Sequence, residues 1–312
     1  MSETSEPNEP DLPRAPEEAI PEGEAIPAPT LVPAPTPDAK VSMGLFARLK
    51  SRLEAPGKGA ATITGTLRDY LVVTWAVPAD KARREVPPEL PLDVLPNADG
   101  DLTAFVQVVC FYGENVHWSP LQNDPMAQSY HQVTYRILTR RDNKRGVFNL
   151  RSYFSTEEVR NTQRVVAREV DYARFFVHIT GDPARNTYTG YNLRSVGDRG
   201  QTSIEATFTE GEEADDVPIP VPFARFEDMA LFLTQREEAY FAASAPKTGI
   251  GLTPVHHEPL QPRAGTLKAA RASLFTDSKL LTPETLLTPV AVLLQPSITL
   301  TTYPPRLARL GE

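Results

Sequence analysis

Residues 131–154 read HQVTYRILTRRDNKRGVFNLRSYF and carry the β-hairpin signal from which the rest of the fold can be worked out. Two runs rich in Val, Ile, Tyr and Phe flank the connector 140–146, which contains Asp142, Asn143 and Gly146. Asp, Asn and Gly tolerate the backbone conformations of tight turns better than other residues do. The stretch therefore predicts two antiparallel strands joined by a short turn.

Alternation along the two strands predicts which side chains share a face, because successive side chains of a strand point to opposite sides. The faces that mix polar and apolar residues are His131, Val133, Tyr135 and Ile137 on the first strand, and Val147, Asn149, Arg151 and Tyr153 on the second. Such mixing suits the interior of a barrel that holds a ligand. It suits a solvated outer face equally well, so both interpretations stay open.

Short β-rich runs separated by turn residues continue on both sides of the hairpin. Further strands are predicted over residues 71–75, 102–112, 173–180, 188–196, 203–209, 267–275, 290–294 and 298–302. Helices are predicted over 155–170, where Ser155 and Glu158 have capping-box spacing, and over 226–242. About ten strands and two helices without an internal repeat indicate one α+β, mainly β domain over residues 59–312, a β-barrel or curled sheet with two flanking helices.

The first 58 residues differ in composition from the rest. Ten prolines and nine acidic residues precede Lys40, with one basic residue and no aromatic residue. Such a segment cannot bury enough apolar surface to offset its ordering entropy, so we expect a disordered, acidic and Pro-rich tail over residues 1–58. The tail ends in a short basic amphipathic segment, 43–53, which either docks on a membrane surface or partner or packs against its own domain.

Composition narrows the class of protein. The net charge of the chain is −8 at pH 7 and the acidic tail accounts for as much, so the folded part has no basic excess and we expect no nucleic-acid partner. Cys110 is the only cysteine, which excludes an intramolecular disulfide. Neither a secretory signal nor a run of roughly eighteen apolar residues is present, so we expect no transmembrane segment and a cytoplasmic location.

Residues 255–261, VHHEPLQ, place two of the five histidines beside a carboxylate. In an extended segment His256 and Glu258 point one way and His257 the other. His256 and Glu258, joined by His131 or His117 from another strand, could ligate a metal, or Glu258 could orient His256 for acid–base catalysis. A structural role, with the rings bonded to backbone carbonyls, is commoner. Because only adjacency is visible, we predict no metal and no cofactor.

Arg151 adds a cation to the second strand of the hairpin. Its planar guanidinium could hold a ligand carboxylate, or it could be a surface arginine that faces outward. The residues that we predict to contact a ligand are His131, Arg151, Tyr153, His256 and Glu258.

The order of these features is similar to that of a known family. A strand with Trp75, the connector VPPEL at 86–90, a Val- and Phe-rich strand, GVF at 146–148, the second helix and HHEPLQ at 256–261 follow one another. In this order they resemble the DUF2071 family, also called YqjF-like, of the acetoacetate decarboxylase-like superfamily, over residues 67–307. The resemblance implies a cone-shaped, mainly antiparallel β-barrel whose interior can hold a small ligand. It implies no reaction, because the family is largely of unknown function.

Two lysines bear on whether the chain shares the chemistry of acetoacetate decarboxylases, which use a Schiff-base lysine beside a second lysine. Lys144 is the only lysine directly beside another cation, and it lies in the predicted turn, where solvent screens that neighbour. Lys247 lies nearer to the paired histidines. The candidate catalytic residues are therefore Lys247, His256 and Glu258.

We therefore expect a small-molecule-binding barrel that takes a carboxylate- or carbonyl-bearing ligand. The alternatives are a lyase similar to acetoacetate decarboxylase, with Lys247 as its nucleophile, and an interaction protein that acts through its N-terminal tail. The sequence leaves open whether the protein is an enzyme and whether it forms a homo-oligomer.

Overall fold

The hairpin forms as predicted. In the computed structural model, β4 (Gln128–Arg141) and β5 (Lys144–Phe154) pair antiparallel. The two residues of the turn both have positive φ angles, 49° at Asp142 and 63° at Asn143. A turn with positive φ at both central residues has the twist that joins antiparallel strands without splaying them. These two residues therefore set the register of the hairpin.

The structure describes residues 62–119, 127–182, 187–208, 223–244 and 249–308. The other strands are β1 (Thr62–Pro78), β2 (Leu95–Pro96), β3 (Leu102–Ser119), β6 (Val170–Asp182), β7 (Thr187–Gly197), β8 (Gly200–Thr207), β9 (Glu238–Ala242), β10 (Ile250–His256), β11 (Arg263–Ala264), β12 (Thr266–Ala272), β13 (Ala291–Thr302) and β14 (Arg306–Leu307). The helices are α1 (Ala79–Arg83), α2 (Glu157–Arg164), α3 (Phe226–Thr234) and α4 (Ser273–Asp277), with a 3-10 turn at Thr285–Leu287.

Seven of the strands close into a ring. β1 pairs with β3, β3 with β4, β4 with β5, β5 with β9, β9 with β10, β10 with β13, and β13 with β1. A ring with an odd number of strands needs at least one parallel junction, and here that junction is β5 with β9. The mainly antiparallel β-barrel expected from the sequence is therefore confirmed. Closure pairs strand edges that would otherwise be open to other chains.

Gly146 lies where β9 joins the ring. A Cβ atom at this position would stand 2.9 Å from the Tyr240 side chain and 3.0 Å from the carbonyl oxygen of Glu238. Both distances are shorter than normal van der Waals contact, so a larger residue would push β9 away from β5. The glycine therefore serves barrel closure, because the turn itself is made by Asp142 and Asn143.

A second layer of strands covers part of the outside of the barrel. β6, β7, β8 and β12 pair antiparallel, and β6 extends from β5 through a short parallel pairing. The core that joins this layer to the barrel contains Trp75, Tyr135 and Phe275, each at most 1% exposed. The Phe275 ring contacts the Trp75 ring at 6.1 Å and the Tyr135 ring at 5.0 Å between centroids. We call this region the outer core.

The barrel interior contains a separate apolar core. α3 supplies the buried side chains Met229, Phe232 and Leu233 to this inner core. The Phe232 ring packs edge-on against Phe105 of β3, with 5.5 Å between centroids. α3 therefore fills part of the barrel next to Phe105.

The helix predicted over residues 226–242 is shorter than expected. α3 ends at Thr234, and residues 238–242 form β9, which pairs with β5 on one edge and with β10 on the other. The apolar periodicity of the segment suits a helix, but pairing on both edges satisfies the backbone groups of β9 within the barrel wall. Tertiary context therefore overrides local propensity here.

The helix predicted over residues 155–170 also has different ends. Its N-cap is Thr156, whose hydroxyl accepts a hydrogen bond from the Val159 amide at 3.4 Å. The Ser155 hydroxyl instead accepts from the His131 amide at 2.9 Å. The predicted cap is wrong by one residue, because Ser155 is used to hold the end of β5 against β4.

Some predicted segments lie outside the described residues. These are the tail over residues 1–58, with its amphipathic segment 43–53, and Lys247. The domain boundary at residue 59 therefore stays a prediction. Within the part of the chain that the structure describes, no helix has the length and apolar character needed to cross a membrane.

Candidate functional site

A cavity of about 500 Å³ lies inside the barrel, among the inward-facing side chains of the ring strands. Pockets of this size hold small organic ligands in other proteins. Its apolar lining includes Leu67, Val109, Phe111, Tyr130, Phe154, Val170, Ile298 and Leu300. Its polar lining includes Gln132, Thr134, Arg136, Asn149, Ser152, Arg236, Glu238 and His257.

A β-bulge in β5 changes the faces predicted for the hairpin. Tyr135 pairs with Arg151 and Arg136 pairs with Asn149, so Leu150 has no partner on β4. The extra residue shifts the alternation of side chains by one position beyond it. Asn149 therefore faces the cavity, whereas Arg151, two residues later, faces outward.

The face predicted for the second strand, which joined Val147 and Asn149 to Arg151 and Tyr153, is therefore wrong. Val147 and Asn149 line the cavity, and Tyr153 lies in the outer core. The face predicted for the first strand is confirmed, because its apolar members pack in the outer core. The opposite face of β4 lines the cavity with Tyr130, Gln132, Thr134 and Arg136.

Arg136 is a cavity-lining cation that has no anionic partner among the residues that the structure describes. It is partly buried, and its Nε donates a hydrogen bond to Gln107 Oε1 at 2.8 Å. Its Nη2 donates to the Tyr70 hydroxyl at 3.5 Å. Among the described residues no carboxylate lies within ion-pair distance of Arg136. The positive charge therefore meets no balancing anion in that part of the chain.

Gln107 sets the direction of the Arg136 guanidinium. The Gln107 side chain is fully buried, with 0% of the residue exposed. Its amide nitrogen donates to Thr74 Oγ1 at 3.0 Å and to the carbonyl of Leu233 at 2.9 Å, which leaves its oxygen for Arg136. Because β1 and α3 both hold this amide, the guanidinium is oriented before any ligand arrives, and less entropy is lost on binding.

A row of polar side chains follows Arg136 along the same wall. Gln132 Nε2 donates to Thr134 Oγ1 at 2.7 Å, and Thr134 Oγ1 lies 3.0 Å from Ser152 Oγ. Hydroxyl groups can donate or accept as their rotation allows. This row could therefore bind oxygen atoms of a ligand whose acid group is held by Arg136.

A buried ion cluster supports the wall beside α3. Asp93, which is 3% exposed, accepts a hydrogen bond from Arg236 Nη1 at 2.7 Å, and Arg145 Nε lies 3.8 Å from the same carboxylate. The Phe232 ring centroid lies 4.6 Å from the Arg145 guanidinium and 5.2 Å from that of Arg236. Burial lowers the pKa of Arg236 to about 10. Arg236 therefore stays charged at neutral pH and, unlike Arg136, is paired.

His257, rather than His256, faces the cavity. Val255 and His257 line it, which places His256 on the opposite side of the strand, and Glu258 is exposed. His257 is 5% exposed, and its Nδ1 lies 2.7 Å from the carbonyl oxygen of Glu258. Burial lowers the pKa of His257; the Glu258 carbonyl opposes this shift and the charge of Arg136 adds to it. The ring is therefore neutral at pH 7.

Two other predicted ligand contacts point away from the cavity. Arg151 forms ion pairs with Glu169 at 2.7 Å and with Asp171 at 3.6 Å. Tyr153 is 1% exposed, and its hydroxyl donates to the carbonyl of Arg199 at 3.1 Å. Both side chains therefore connect β5 to the outer layer.

His131 also lies on the outward face of the barrel wall. Its ring centroid is 4.9 Å from that of Tyr112 and 5.9 Å from that of Phe175. Burial lowers the pKa of His131, and the charge of Asp69 opposes the shift. The cavity is thus not lined by His131, Arg151, Tyr153, His256 or Glu258. The structure brings together Gln132, Thr134, Arg136, Ser152 and His257 instead.

The described lining of the cavity consists of hydrogen-bonding, charged and apolar side chains. No lysine in the described ranges lines the cavity, and Lys247 lies outside those ranges. Within the same ranges, no three His, Cys, Asp or Glu side chains converge as metal ligands. The cavity offers Arg136, which is unpaired within the described residues, and several hydrogen-bonding groups, which together match an anionic or carbonyl group.

The sequence contains a pattern that indicates the contact between Gln107 and Arg136. The prediction based on the faces of the hairpin did not use it. Gln107 interrupts the apolar run 105–111, FVQVVCF, and Arg136 interrupts 135–138, YRIL. Buried strands seldom carry lone polar residues without a partner. Two such interruptions on neighbouring strands therefore indicate that the side chains meet. No comparable signal existed for Asp93, whose partners lie far away in the chain.

Comparison with protein-family models identifies one family. The model of DUF2071, described as an uncharacterized conserved protein, matches residues 64–297. A sequence search of curated proteins finds no match.

Solved structures with the same fold have low sequence identity. The enduracididine biosynthesis enzyme MppR with HEPES bound has 14% identity and a TM-score of 0.51, with 83% of this chain and 90% of that chain covered. MppR complexed with pyruvate has 14% identity and a TM-score of 0.50, with 83% and 93% covered. An acetoacetate decarboxylase-like enzyme from Sphingomonas wittichii RW1 has 11% identity and a TM-score of 0.49, with 83% and 98% covered.

At these identities the likeness to solved structures shows the fold alone. The family model covers well over half of the chain. The protein therefore belongs to the DUF2071 family.

Proposed function

We propose that this protein binds a small carboxylate-bearing molecule inside its barrel, with the acid group on Arg136. The main support is that Arg136 faces a cavity of ligand size and has no carboxylate partner among the described residues. A charge removed from water without a counter-ion costs free energy. A bound carboxylate would offset that cost.

The surroundings of Arg136 favour a carboxylate over a neutral group. Gln107 and Tyr70 occupy Nε and Nη2, while Nη1 has no hydrogen-bond partner in the described ranges. A guanidinium donates two parallel hydrogen bonds to a carboxylate, and such charged pairs are about twice as strong as neutral ones. Thr134 and Gln132 lie next along the wall and could bind a carbonyl oxygen adjacent to the acid. Simple acids and 2-oxo acids both fit this arrangement.

The Schiff-base alternative gains no support from the cavity. The lysines of the described ranges lie elsewhere, and the candidate Lys247 falls outside those ranges. Binding, rather than decarboxylation, is therefore the function that the geometry favours.

Isothermal titration calorimetry on the full-length protein tests this function. Acetate, pyruvate, hexanoate and benzoate are titrated, each beside its methyl ester. We expect the acids to bind at least about tenfold more tightly than the esters, because the charged hydrogen bonds to Arg136 are lost in the ester. Equal affinity of acids and esters would make the proposal wrong.

Two arginine variants locate the anchor. Arg136→Gln should remove the preference for acids over esters. Arg151→Gln is the matched control, because Arg151 lies on the neighbouring strand, does not line the cavity and has its guanidinium paired to Glu169 and Asp171. It should keep the preference for acids. The reverse result would return the anion site to Arg151, the residue predicted from the sequence.

A further inference from the structure

The polar residues that line the cavity on β4 lie toward the Arg136 end of this strand. Arg136 pairs with Gln107 on β3, whereas Tyr130, six residues earlier on β4, pairs with Gly113. Six residues of a strand span about 20 Å. Thr134 faces the cavity next to Arg136, so the hydrogen-bonding groups lie toward the Arg136 side of this length.

The lining becomes apolar on the other side. One row across four strands runs Tyr130–Gly113–Leu67–Ile298, and Leu300 lies two residues further along β13. Tyr130, Leu67, Ile298 and Leu300 all line the cavity. A ligand held at Arg136 that extends along the strands therefore meets hydrocarbon.

Exposure varies along the cavity, and Arg136 itself is partly exposed, whereas Leu67 and Ile298 are at most 8% exposed. Gln107 and Thr234, beside Arg136 and His257, are at most 3% exposed. Ile63, Val116 and Leu300 on the apolar side are partly exposed. An acid group on Arg136 would therefore lie beside the buried Gln107, and the far end of a long apolar body would lie beside the partly exposed Ile63, Val116 and Leu300.

Among the described residues, no positively charged side chain lines the apolar side of the cavity. The cationic or titratable basic side chains that line the cavity within the described ranges are Arg136, Arg236 and His257. Arg236 is paired with Asp93, and the carbonyl of His257 accepts from Gln235 just beyond α3 at 3.5 Å. A second acid group beside Leu67 and Ile298 would lose its hydration without gaining a counter-ion, which is costly.

We infer that the ligand class is an amphipathic monocarboxylate: one acid group on Arg136 and an unbranched or aromatic apolar body along Leu67, Ile298 and Leu300. This inference rests on the proposed function for its anchor and adds the chemistry of the rest of the ligand. Small 2-oxo acids and dicarboxylates would occupy the polar side alone and leave the apolar side empty.

A chain-length series on the unmodified full-length protein tests the inference. Straight-chain monocarboxylates from acetate to dodecanoate are titrated by calorimetry below their micelle-forming concentrations, together with the α,ω-dicarboxylate of each length. Each added methylene that enters the apolar side should raise affinity about fourfold, until the chain reaches solvent. Each dicarboxylate of intermediate length should bind at least about tenfold more weakly than its monocarboxylate.

A narrowing variant places the apolar body in the barrel. Leu300→Trp should weaken binding of the longest acids by about tenfold and leave butanoate within about twofold, because the larger ring fills the apolar side only. Leu307→Trp is the matched control, since Leu307 is 45% exposed and does not line the cavity. It should leave the whole series unchanged.

Two outcomes would overturn the inference, and they are distinguishable. If acetate and pyruvate bind as tightly as octanoate, and Arg136→Gln abolishes binding, then Arg136 binds the acid group as proposed. The inference that the ligand has an apolar body is then wrong. If octanol binds as tightly as octanoate, then the apolar side binds the chain and Arg136 contributes no affinity. Both the proposed function and this inference are then wrong.

Discussion

The two faces of β1, β3 and β4 end in different surroundings. The outward face packs into the outer core, where Trp75, Tyr135 and Phe275 are at most 1% exposed. The inward face carries Gln107 and Arg136 and borders a cavity of about 500 Å³. Close packing on one side fixes the wall, so the other side can keep unfilled space and an unpaired cation. The same strands thus serve stability outward and recognition inward.

Removing the largest outer-core ring should give the largest loss of stability. We expect Trp75→Ala to lower the free energy of unfolding by about 4 kcal/mol, because it leaves a cavity in a closely packed region and removes the hydrogen bond from Trp75 Nε1 to the carbonyl of Leu286, 2.9 Å long. Urea denaturation measures the change. Trp75→Phe keeps most of the packing and should cost less. A loss below about 1 kcal/mol for Trp75→Ala would contradict the view that the outward face is the closely packed, stabilising side of these strands.

The buried ion cluster beside the cavity should contribute to folding stability, although it borders the inward face of the barrel. Asp93→Asn leaves the guanidinium groups of Arg236 and Arg145 without their shared carboxylate, and we expect a loss of about 3 kcal/mol. Glu114→Gln is the control, because Glu114 forms an exposed ion pair with Arg68 at 2.6 Å. Exposed pairs contribute about 1 kcal/mol or less. Similar losses for both variants would contradict the burial argument.

Arg136 should be nearly dispensable for stability. In Arg136→Met the removal of an unpaired charge offsets the loss of a hydrogen-bond partner for Gln107, so we expect the free energy of unfolding to stay within about 1 kcal/mol of the unmodified protein. The same denaturation experiment on Arg236→Met, whose partner is Asp93, should show a loss of about 3 kcal/mol. If Arg136→Met costs as much as Arg236→Met, then Arg136 is a structural residue.

We expect the smallest effect for the pH dependence of stability. Here His257 on the inward face is compared with His131 on the outward face. Burial lowers the pKa of both His257 and His131, so the unfolded chain, with a histidine pKa of about 6.5, binds protons more readily than the folded protein. The stability that each neutral ring contributes is therefore complete above about pH 6.5 and is lost as pH falls toward the folded-state pKa.

His257→Gln should reduce this acid sensitivity more than His131→Gln. The reason is that His257 is only 5% exposed, whereas His131 is partly exposed and the charge of Asp69 opposes the lowering of its pKa. Denaturation midpoints at pH 7 and pH 5 measure the difference for each variant. A larger effect of His131→Gln would reverse the order of the two faces.

The hairpin and the β-rich barrel could be predicted because their signals are local. Asp142 and Asn143 suffice for the turn, and each strand carries its own apolar run. The orientation of side chains could not be predicted beyond Leu150, because a bulge depends on what both strands pack against. The bulge at Leu150 turns Arg151 outward. Arg136, which the sequence interpretation did not select, faces the cavity from β4.

The remaining part of the candidate site depends on contacts between distant segments. β9 was predicted as the end of a helix, since its pairing with β5 and β10 is invisible in the local sequence. Alternation correctly separated His256 from His257, but it could not tell which side was inward. That choice follows from the closure of the ring, which no local pattern encodes.

The parallel junction between β5 and β9 has a consequence for motion. It contains four residue pairs, from Gly146↔Glu238 to Asn149↔Phe241, between segments far apart in the chain. Loop-closure entropy opposes such a junction more than it opposes the hairpin. β9 is also held on its other edge by β10, whose own junction with β13 has only two residue pairs, and local opening favours regions with few backbone pairs. Amide hydrogens of β9 should therefore exchange with solvent before those of β4. A ligand inside the barrel binds only the closed ring, so a bound ligand should slow the exchange of the β9 amides. Their exchange rate would therefore show whether the barrel contains a ligand.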